Sequence, residues 1–403
     1  MTAGDRPASV ALARSAPIAG WGVAGVSYNA TDVSAQVLAA QAVGQATEHA
    51  GLSVDDIDGL IVTRSPKATS DDLGTSLQVL MGLSDLKYCA AIEAKGASAV
   101  HALLEAQKAV AIGGLESVVC VFADVPVPAE RNTGQSFGHP FRLSGFPGSE
   151  AACGAYGGAT AFALYARRIL EIFGWGEQQT REIVLSTRRW AALNPDALQS
   201  AELHAVDYDS SPWIVEPLRL LDCSRPSNGG AAVVVTSPER AKASGRNPAY
   251  ILGGSLRHTP ICDRPEGAWR DGEGRGWSDS IREALDVAGI SPSQLSTIQA
   301  YDAFSFLPLL ALASAGICDP AEVAGLLADE ATRPGGSLPL NTGGGQLSGS
   351  YLQGMTPLLE AIVQAQHEGG ARQVPNHEHS LVVSQGGVGE HFGVAVVSSE
   401  RPS

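Results

Sequence analysis

Asn341-Thr342-Gly343-Gly344-Gly345-Gln346-Leu347-Ser348-Gly349-Ser350-Tyr351-Leu352-Gln353-Gly354-Met355-Thr356-Pro357 is the stretch on which the reading of this chain turns. Glycine at this density lets backbone pass close to a ligand and reach positive φ. The apolar pattern Leu358-Leu359-Glu360-Ala361-Ile362-Val363 follows at once and predicts a helix. A helix opening there aims free N–H groups and its positive dipole end back at the loop. Tyr351 stands in the middle as the one large polar side chain. On these residues alone the stretch is either a site for a developing negative charge with a phenol beside it, or a surface turn.

Outward from the loop, the chain reads as two similar α/β halves. Residues 18–25 predict a first strand, and 34–51 show helical apolar spacing (Val37, Ala40, Val43, Ala46, Ala50) stopped by Gly51. A Ser-led acidic turn at 53–58 and a strand at 59–62 come next. Residues 281–295 repeat the order of helix, Ala-Gly-Ile and Ser-led turn, and 297–301 take the place of the strand. A repeat this far apart indicates duplication of an α/β half. The halves are placed at 18–245 and 246–403, with 1–17 a disordered lead-in and 124–227 a Pro-, Gly- and aromatic-rich excursion. Within the first half, small residues at 94–99 open a helix at 100–112 that suits a buried central position, and 117–123 reads as a strand. The excursion holds helices at 159–173 and 178–193 before the chain re-enters a strand at 233–236.

A chain of 403 residues, 44% hydrophobic, is long enough to bury a large core. Its net charge of −15 argues against nucleic acid and against an anionic membrane surface as partners. Cys89, Cys120, Cys153, Cys223, Cys262 and Cys318 lack metal-type spacing and read as free thiols of a reducing cytoplasm. No apolar run is long enough to span a bilayer. A cytoplasmic protein is expected.

The glycine loop resembles the Asn-Thr-x-Gly-Gly-x-x-x-x-Gly-His-Pro-x-Gly segment of the thiolase superfamily, in particular the thiolase domain of sterol carrier protein x and related lipid-transfer thiolases. Gly344, Gly345 and Gly354 fall on the pattern, and Tyr351 takes the place of the oxyanion-hole histidine. Tyr165-Ala166-Arg167-Arg168, Ala191-Ala192-Leu193-Asn194-Pro195 and the Leu-Leu-Asp-Cys segment ahead of Gly229-Gly230-Ala231-Ala232 are similar to the same family. The resemblance implies an α/β thiolase fold, a five-layer α-β-α-β-α sandwich of two duplicated halves with an inserted loop region, usually a tight dimer.

It also implies four catalytic positions, and this chain departs from the family at each. The nucleophilic cysteine aligns with Gly96, and the acid/base cysteine with Ser384, ahead of Gly386, Gly387 and Gly389. The first residue of the Asn-Glu-Ala-Phe or His-Asp-Cys-Phe motif aligns with Tyr301. Both sulfurs are gone, and both oxyanion-hole positions carry phenols. Loss of a covalent nucleophile costs on the order of 10⁴ to 10⁶ in rate, so thiolytic acyl transfer is not expected.

Two phenols facing an acyl-CoA pocket suit retro-aldol cleavage of a β-hydroxyacyl-CoA through a thioester enolate held by hydrogen-bond donors. Tyr301 and Tyr351 are the expected acid and base, with the order between them open and the phenol pKa expected to fall below its usual value of about 10. The same double-tyrosine replacement resembles the steroid side-chain acyl-CoA aldolases. That likeness implies release of propionyl-CoA and a 17-keto steroid, and an oligonucleotide/oligosaccharide-binding (OB-fold), zinc-ribbon partner in a heterotetramer. Coenzyme A enters as the substrate thioester, with no covalently bound cofactor and no metal in this chain.

Other readings stand beside these. As a lone tyrosine, Tyr301 would be core packing, and Asp302, on the opposite face of the strand, reads as structural. Lys95 is a candidate Schiff-base lysine that a thioester does not require. Ser98 and Cys153 are candidate displaced nucleophiles without a visible base. His391 either lines the pocket or supports the last glycine loop, where Gly386 and Gly387 are expected to offer backbone to oxyanion or pantetheine. His377 and His379 read as solvated. Arg131, Arg188 and Arg189 are candidates for CoA phosphates or routine helix-surface charges. The rival functions are a thiolase or acyltransferase with an unrecognised nucleophile, and a non-catalytic acyl-CoA-binding subunit.

Overall fold

The computed structural model describes residues 16–65, 73–127, 152–154, 157–259 and 275–402. Its strands are β1 (Ile18–Ser27), β2 (Gly59–Thr63), β3 (Tyr88–Ile92), β4 (Ser117–Asp124), β5 (Trp213–Val215), β6 (Leu218–Arg219), β7 (Asn228–Thr236), β8 (Tyr250–His258), β9 (Thr297–Ala300), β10 (His379–Gly386) and β11 (His391–Ser398). The first sheet has the order β1-β7-β4-β2-β3 and the second β8-β11-β10-β9, while β5 and β6 form a small hairpin. Along β1-β7-β4-β2 the pairings run antiparallel, antiparallel, parallel. They do so again along β8-β11-β10-β9. The first sheet adds β3 as a parallel edge strand.

The principal helices are α1 (Ala35–His49), α2 (Ser98–Ala111), α3 (Gly157–Phe173), α4 (Glu177–Ala191), α5 (Arg275–Ala288), α6 (Phe306–Ser314) and α7 (Met355–Ala365). Helix α1 covers the outer face of the first sheet, α2 and α7 lie between the sheets, and α5 and α6 cover the outer face of the second. That is the expected five-layer sandwich. Strands β2, β4 and β7 are buried along their whole length and read as near-continuous apolar runs because both faces are covered. In β7, Val233 and Val235 point into the central core, while Ala232 and Val234 meet α1. In β10, Val382 faces the centre, and Leu381 and Val383 face outward.

Both halves use the same local devices. Glycine on the first strand lets the covering helix sit down on it: a Cβ at Gly20 would lie 2.3 Å from the Ala46 carbonyl, and one at Gly253 would lie 2.3 Å from that of Ala284. The Ser-led turn is closed by its own side chains, Ser53 N donating to Asp56 and Ser291 N to Gln294.

Three boundaries differ from expectation. Strand β7 begins at Asn228, five residues before the valine run, because Gly229 and Gly230 leave space for Leu352 and the Leu38 backbone. Ala16 is buried and Pro17 O accepts from Thr236 N, so the end of the expected lead-in belongs to the first sheet; residues 1–15 lie outside the described set. The described part of the excursion also crosses to the second half. Tyr165, Ile169 and Ile183 share a core with Phe306 and Leu309, and the Tyr165 and Phe306 rings meet edge-on at 5.2 Å. No helix among the described residues is long and apolar enough to cross a membrane.

Candidate active site

Tyr301 follows β9 directly, its N–H donating to Val383 O at 2.8 Å. Tyr351 lies fifty residues on, between the glycine loop and α7. Their hydroxyls meet at 3.2 Å. The ring of Tyr301 fills the space that a side chain at position 96 would occupy. A Cβ there would lie 2.1 Å from Gln385 O and 2.7 and 2.8 Å from Tyr301 Cε2 and Cζ. Gly354, just ahead of α7, rests in turn on the Gly96 carbonyl, and Gly386 on that of Ala94. The N-terminal ends of α2 and α7 therefore converge beside the phenols and leave a positive field there.

The glycine loop works differently from the expected nest of donors. Residues Gly345–Gly349 form one wide helical turn. Asp302 caps it, accepting from Gln346 N at 2.7 Å and Leu347 N at 3.3 Å. Gly345, at φ 59°, brings backbone so close to this carboxylate that a Cβ would lie 2.0 Å from Oδ2. Gly344 N, Ser348 N, Gly349 N and Ser350 N bond within the loop. Tyr351 N donates to Ser227 Oγ and Leu352 N to Thr356 Oγ1. With these amides satisfied, the loop of Gly344 and Gly345 is a mount for Tyr351. Arg188 completes the mount from α4 through Ser348 Oγ, Ala201 O and Gln199 Oε1, so it is buried and not placed for a CoA phosphate.

Burial also reverses the expected phenol acidity. It raises Tyr301 well above the usual tyrosine value, with the neighbouring Tyr351 adding to the rise. It pushes Tyr351 up to about 12, against a lowering effect of the bond from Tyr301. Burial holds both phenols neutral near pH 7. Burial also lifts Asp302 to about 7, opposed by the loop amides.

The other expected residues are placed as follows. Ser384 is buried beside Tyr301 on the neighbouring strand, one step beyond the Val383–Ala300 pair, and its hydroxyl has no hydrogen-bond partner. Gly386 ends β10, and Gly387 turns the chain toward Glu390, whose carboxylate holds Lys95 Nζ at 2.5 Å. His391 Nδ1 pairs with His258 Nδ1 at 2.8 Å. Ser98 Oγ accepts from Ala94 N. Arg189 pairs with Glu330 on the surface. Cys153 is exposed, while Arg131 and Cys262 lie outside the described residues.

His377 and His379 are buried, contrary to the solvated reading. They bond Ser380 Oγ and Ser398 Oγ at the start of β10 and the end of β11. Ser227, Asp222 and Asp124 were missed. Asp124, at the end of β4, raises the Tyr351 pKa through its charge. Only the Leu-Leu-Asp-Cys resemblance pointed toward the segment that carries Asp222 and Ser227.

The fold and the phenol pair set between two helix ends define a protein of the thiolase superfamily. The thiolase C-terminal domain-like family model matches residues 267–399. The steroid side-chain-cleaving aldolase of Thermomonospora curvata is 31% identical over 368 residues, covering 87% of this chain and 90% of its own. The 17-hydroxy-3-oxo-4-pregnene-20-carboxyl-CoA lyase of Mycobacterium tuberculosis is 30% identical over 395 residues, covering 94% and 98%. The solved Ltp2-ChsH2(DUF35) aldolase superposes with a TM-score of 0.84 at 29% identity, over 97% of this chain and 99% of its own. The chain belongs to the thiolase-fold aldolases of this superfamily, which are carbon–carbon lyases.

Proposed function

We propose that this protein cleaves a bulky β-hydroxyacyl-CoA of the steroid side-chain class by retro-aldol chemistry, giving a ketone and a short acyl-CoA such as propionyl-CoA. The observation that carries the reading is the 3.2 Å contact between Tyr301 and Tyr351 where Gly96 leaves no room for a thiol. Tyr351, reacting in its phenolate form, takes the β-hydroxyl proton and becomes the neutral phenol. The O–H electron pair becomes the ketone C=O, and the Cα–Cβ pair moves onto the thioester as an enolate. Tyr301 donates to that oxygen under the field of the two helix ends, and protonation of Cα by the phenol pair closes the cycle. No covalent enzyme intermediate forms.

A displaced thiol nucleophile fits less well. Cys120 Sγ donates to Ala102 O, and Cys223 Sγ donates to Arg219 O with its pKa pushed by burial to about 12. Among the described cysteines all are unpaired, which supports a reducing cytoplasmic setting. The Ltp2-ChsH2(DUF35) neighbour is named as two proteins together, which supports a partner protein here; we take that partner to be of the OB-fold and zinc-ribbon type, in a heterotetramer. Edge strand β3, Tyr-Cys-Ala-Ala-Ile without charge or proline, supports pairing of two copies there. The domain boundary is placed at 245/246, between the strands of the two sheets.

The test is turnover of a tertiary β-hydroxyacyl-CoA by the full chain with that partner, read as propionyl-CoA release. Tyr301→Phe and Tyr351→Phe should each lose about 10²–10⁴-fold. Undiminished activity in both would remove the mechanism.

A further inference from the structure

The two phenols stand fifty residues apart, and a single segment outside both bonds the main chain of Tyr351 and the turn that follows Tyr301. At one end of it, Ser227 Oγ accepts from Tyr351 N at 3.0 Å and donates to Tyr351 O at 3.1 Å. One buried hydroxyl thus engages both main-chain groups of the residue and fixes the peptide planes on either side of its Cα. The loop's own turn satisfies its amides only as far as Ser350, so Tyr351 depends on this outside partner.

At the other end the segment holds the turn after Tyr301. Ser224 N donates to Ala303 O at 2.9 Å, Ser305 N to Asp222 O at 3.0 Å, and Ser305 Oγ to Asp222 Oδ1 at 2.5 Å. Asp222 is itself pinned by Tyr208 OH, 2.9 Å from both carboxylate oxygens, and by Arg219 N at 2.8 Å. Asn228 anchors the segment to the first sheet, donating to Asn29 O and accepting from Val127 N. Asp222, Ser227 and Asn228 are all fully buried.

We propose that residues 222–228 are the brace that sets the phenol–phenol separation, with Ser227 the positioning residue for Tyr351 and Asp222 that for Tyr301. This rests on the reading of the two tyrosines as the reacting pair. Ser227 touches no reacting atom. Its removal lets the Tyr351 backbone drift, and a misplacement of about 1 Å can cost on the order of 10²-fold in rate. Loss of the bond from Tyr301 also removes what eases Tyr351 ionisation, so the pH dependence moves with the rate.

The experiment compares kcat, KM and the pH profile of Ser227→Ala, Tyr351→Phe and the double variant, in the full chain with its partner. Ser227→Ala is expected to lower kcat about 10- to 100-fold with KM unchanged. The rising limb of its kcat profile should shift to higher pH. In the Tyr351→Phe background the same change should cost nothing further. Ser227→Ala with kcat within twofold of the parent, or losses that multiply in the double variant, would overturn the brace. Should Ser227→Ala not fold, Asp222→Asn takes its place against Tyr301→Phe with the same criterion. Active Tyr→Phe variants would instead refute the phenol reading, whereas inactive ones beside an unimpaired Ser227→Ala refute only the brace.

Discussion

Adding one methyl group to Gly96 should disable the enzyme while leaving most of its fold intact. The new Cβ of Gly96→Ala would stand 2.1 Å from Gln385 O and 2.7–2.8 Å from two ring carbons of Tyr301. Ordinary contact lies near 3.5 Å, so more than about 1 Å of relief is needed. Gln385 O belongs to the backbone of β10 and is held by the sheet, and Gly354 presses on the Gly96 carbonyl from the other side. Relief therefore needs the backbone around Gly96 to shift as well as the Tyr301 ring, and either movement disturbs the 3.2 Å bond to Tyr351. Overpacking of this kind costs about 1–3 kcal/mol of stability, and an angstrom of displacement about 10²-fold in rate. The assay is kcat for propionyl-CoA release beside urea unfolding. Gly44→Ala is the control: Gly44 lies inside α1 with open space around its Cβ, so Ala there should add about 1 kcal/mol and leave turnover unchanged. A Gly96→Ala enzyme with parental kcat would refute the claim that this space belongs to the phenol.

Because Tyr351 sits at about 12 in the unliganded site, its ionised fraction grows tenfold per pH unit below that value. Log kcat/KM should therefore climb between pH 7 and 10 with a slope approaching one, and a flat profile would count against Tyr351 as base. Burial lowers His377 to about 4, so the native state holds it neutral where an unfolded chain binds a proton below about 6.5. The stability this gives, about 3 kcal/mol, is complete above pH 6.5 and lost as pH falls through 4, so His377→Gln should flatten acid destabilisation in that window. Asp302 has the opposite sign. With a native pKa of about 7, its contribution is complete below about 4 and lost as pH rises through 7. Asp302→Ala should remove that slope and leave the Gln346 and Leu347 amides without acceptors, at about 1–3 kcal/mol each by denaturant titration.

Much of the fold was legible because it is written in local pattern. The continuous apolar runs of β4 and β7, the Ala-spaced face of α1 and the Ser-x-x-Asp and Ser-x-x-Gln turns each act over a few residues. Tyr301 and Tyr351 were legible only through family motifs, since neither has a local signature apart from the glycines beside it. Their raised pKa values were not legible, because burial arises from segments distant in the chain. The same is true of His377 and His379. They follow a Pro-Asn turn that reads as solvent-facing, yet the hydroxyls of Ser380 and Ser398 draw them inward across the β10–β11 pair. Ser227 was invisible for a simpler reason: a lone serine ahead of a glycine strand carries no signal until its partner Tyr351, 124 residues on, is placed beside it.

A side chain at position 96 and the phenol ring at 301 exclude each other in this pocket. With Tyr301 in place, a cysteine Cβ at position 96 collides with its ring; with Gly96 in place and a smaller residue at 301, the same volume is a hole beside two converging helix ends. A buried void of ring size loses the contacts of every group lining it. The two positions therefore hold one volume between them, filled either from the turn ahead of α2 or from the residue after β9. Filling it from β9 keeps the positive helix ends where an acyl intermediate's oxyanion would be stabilised and sets a hydroxyl in their field. An enolate is the anion such a site can hold without a covalent bond to the chain. On the mechanism proposed above, the aldol direction of the chemistry would follow from which of the two residues occupies that space.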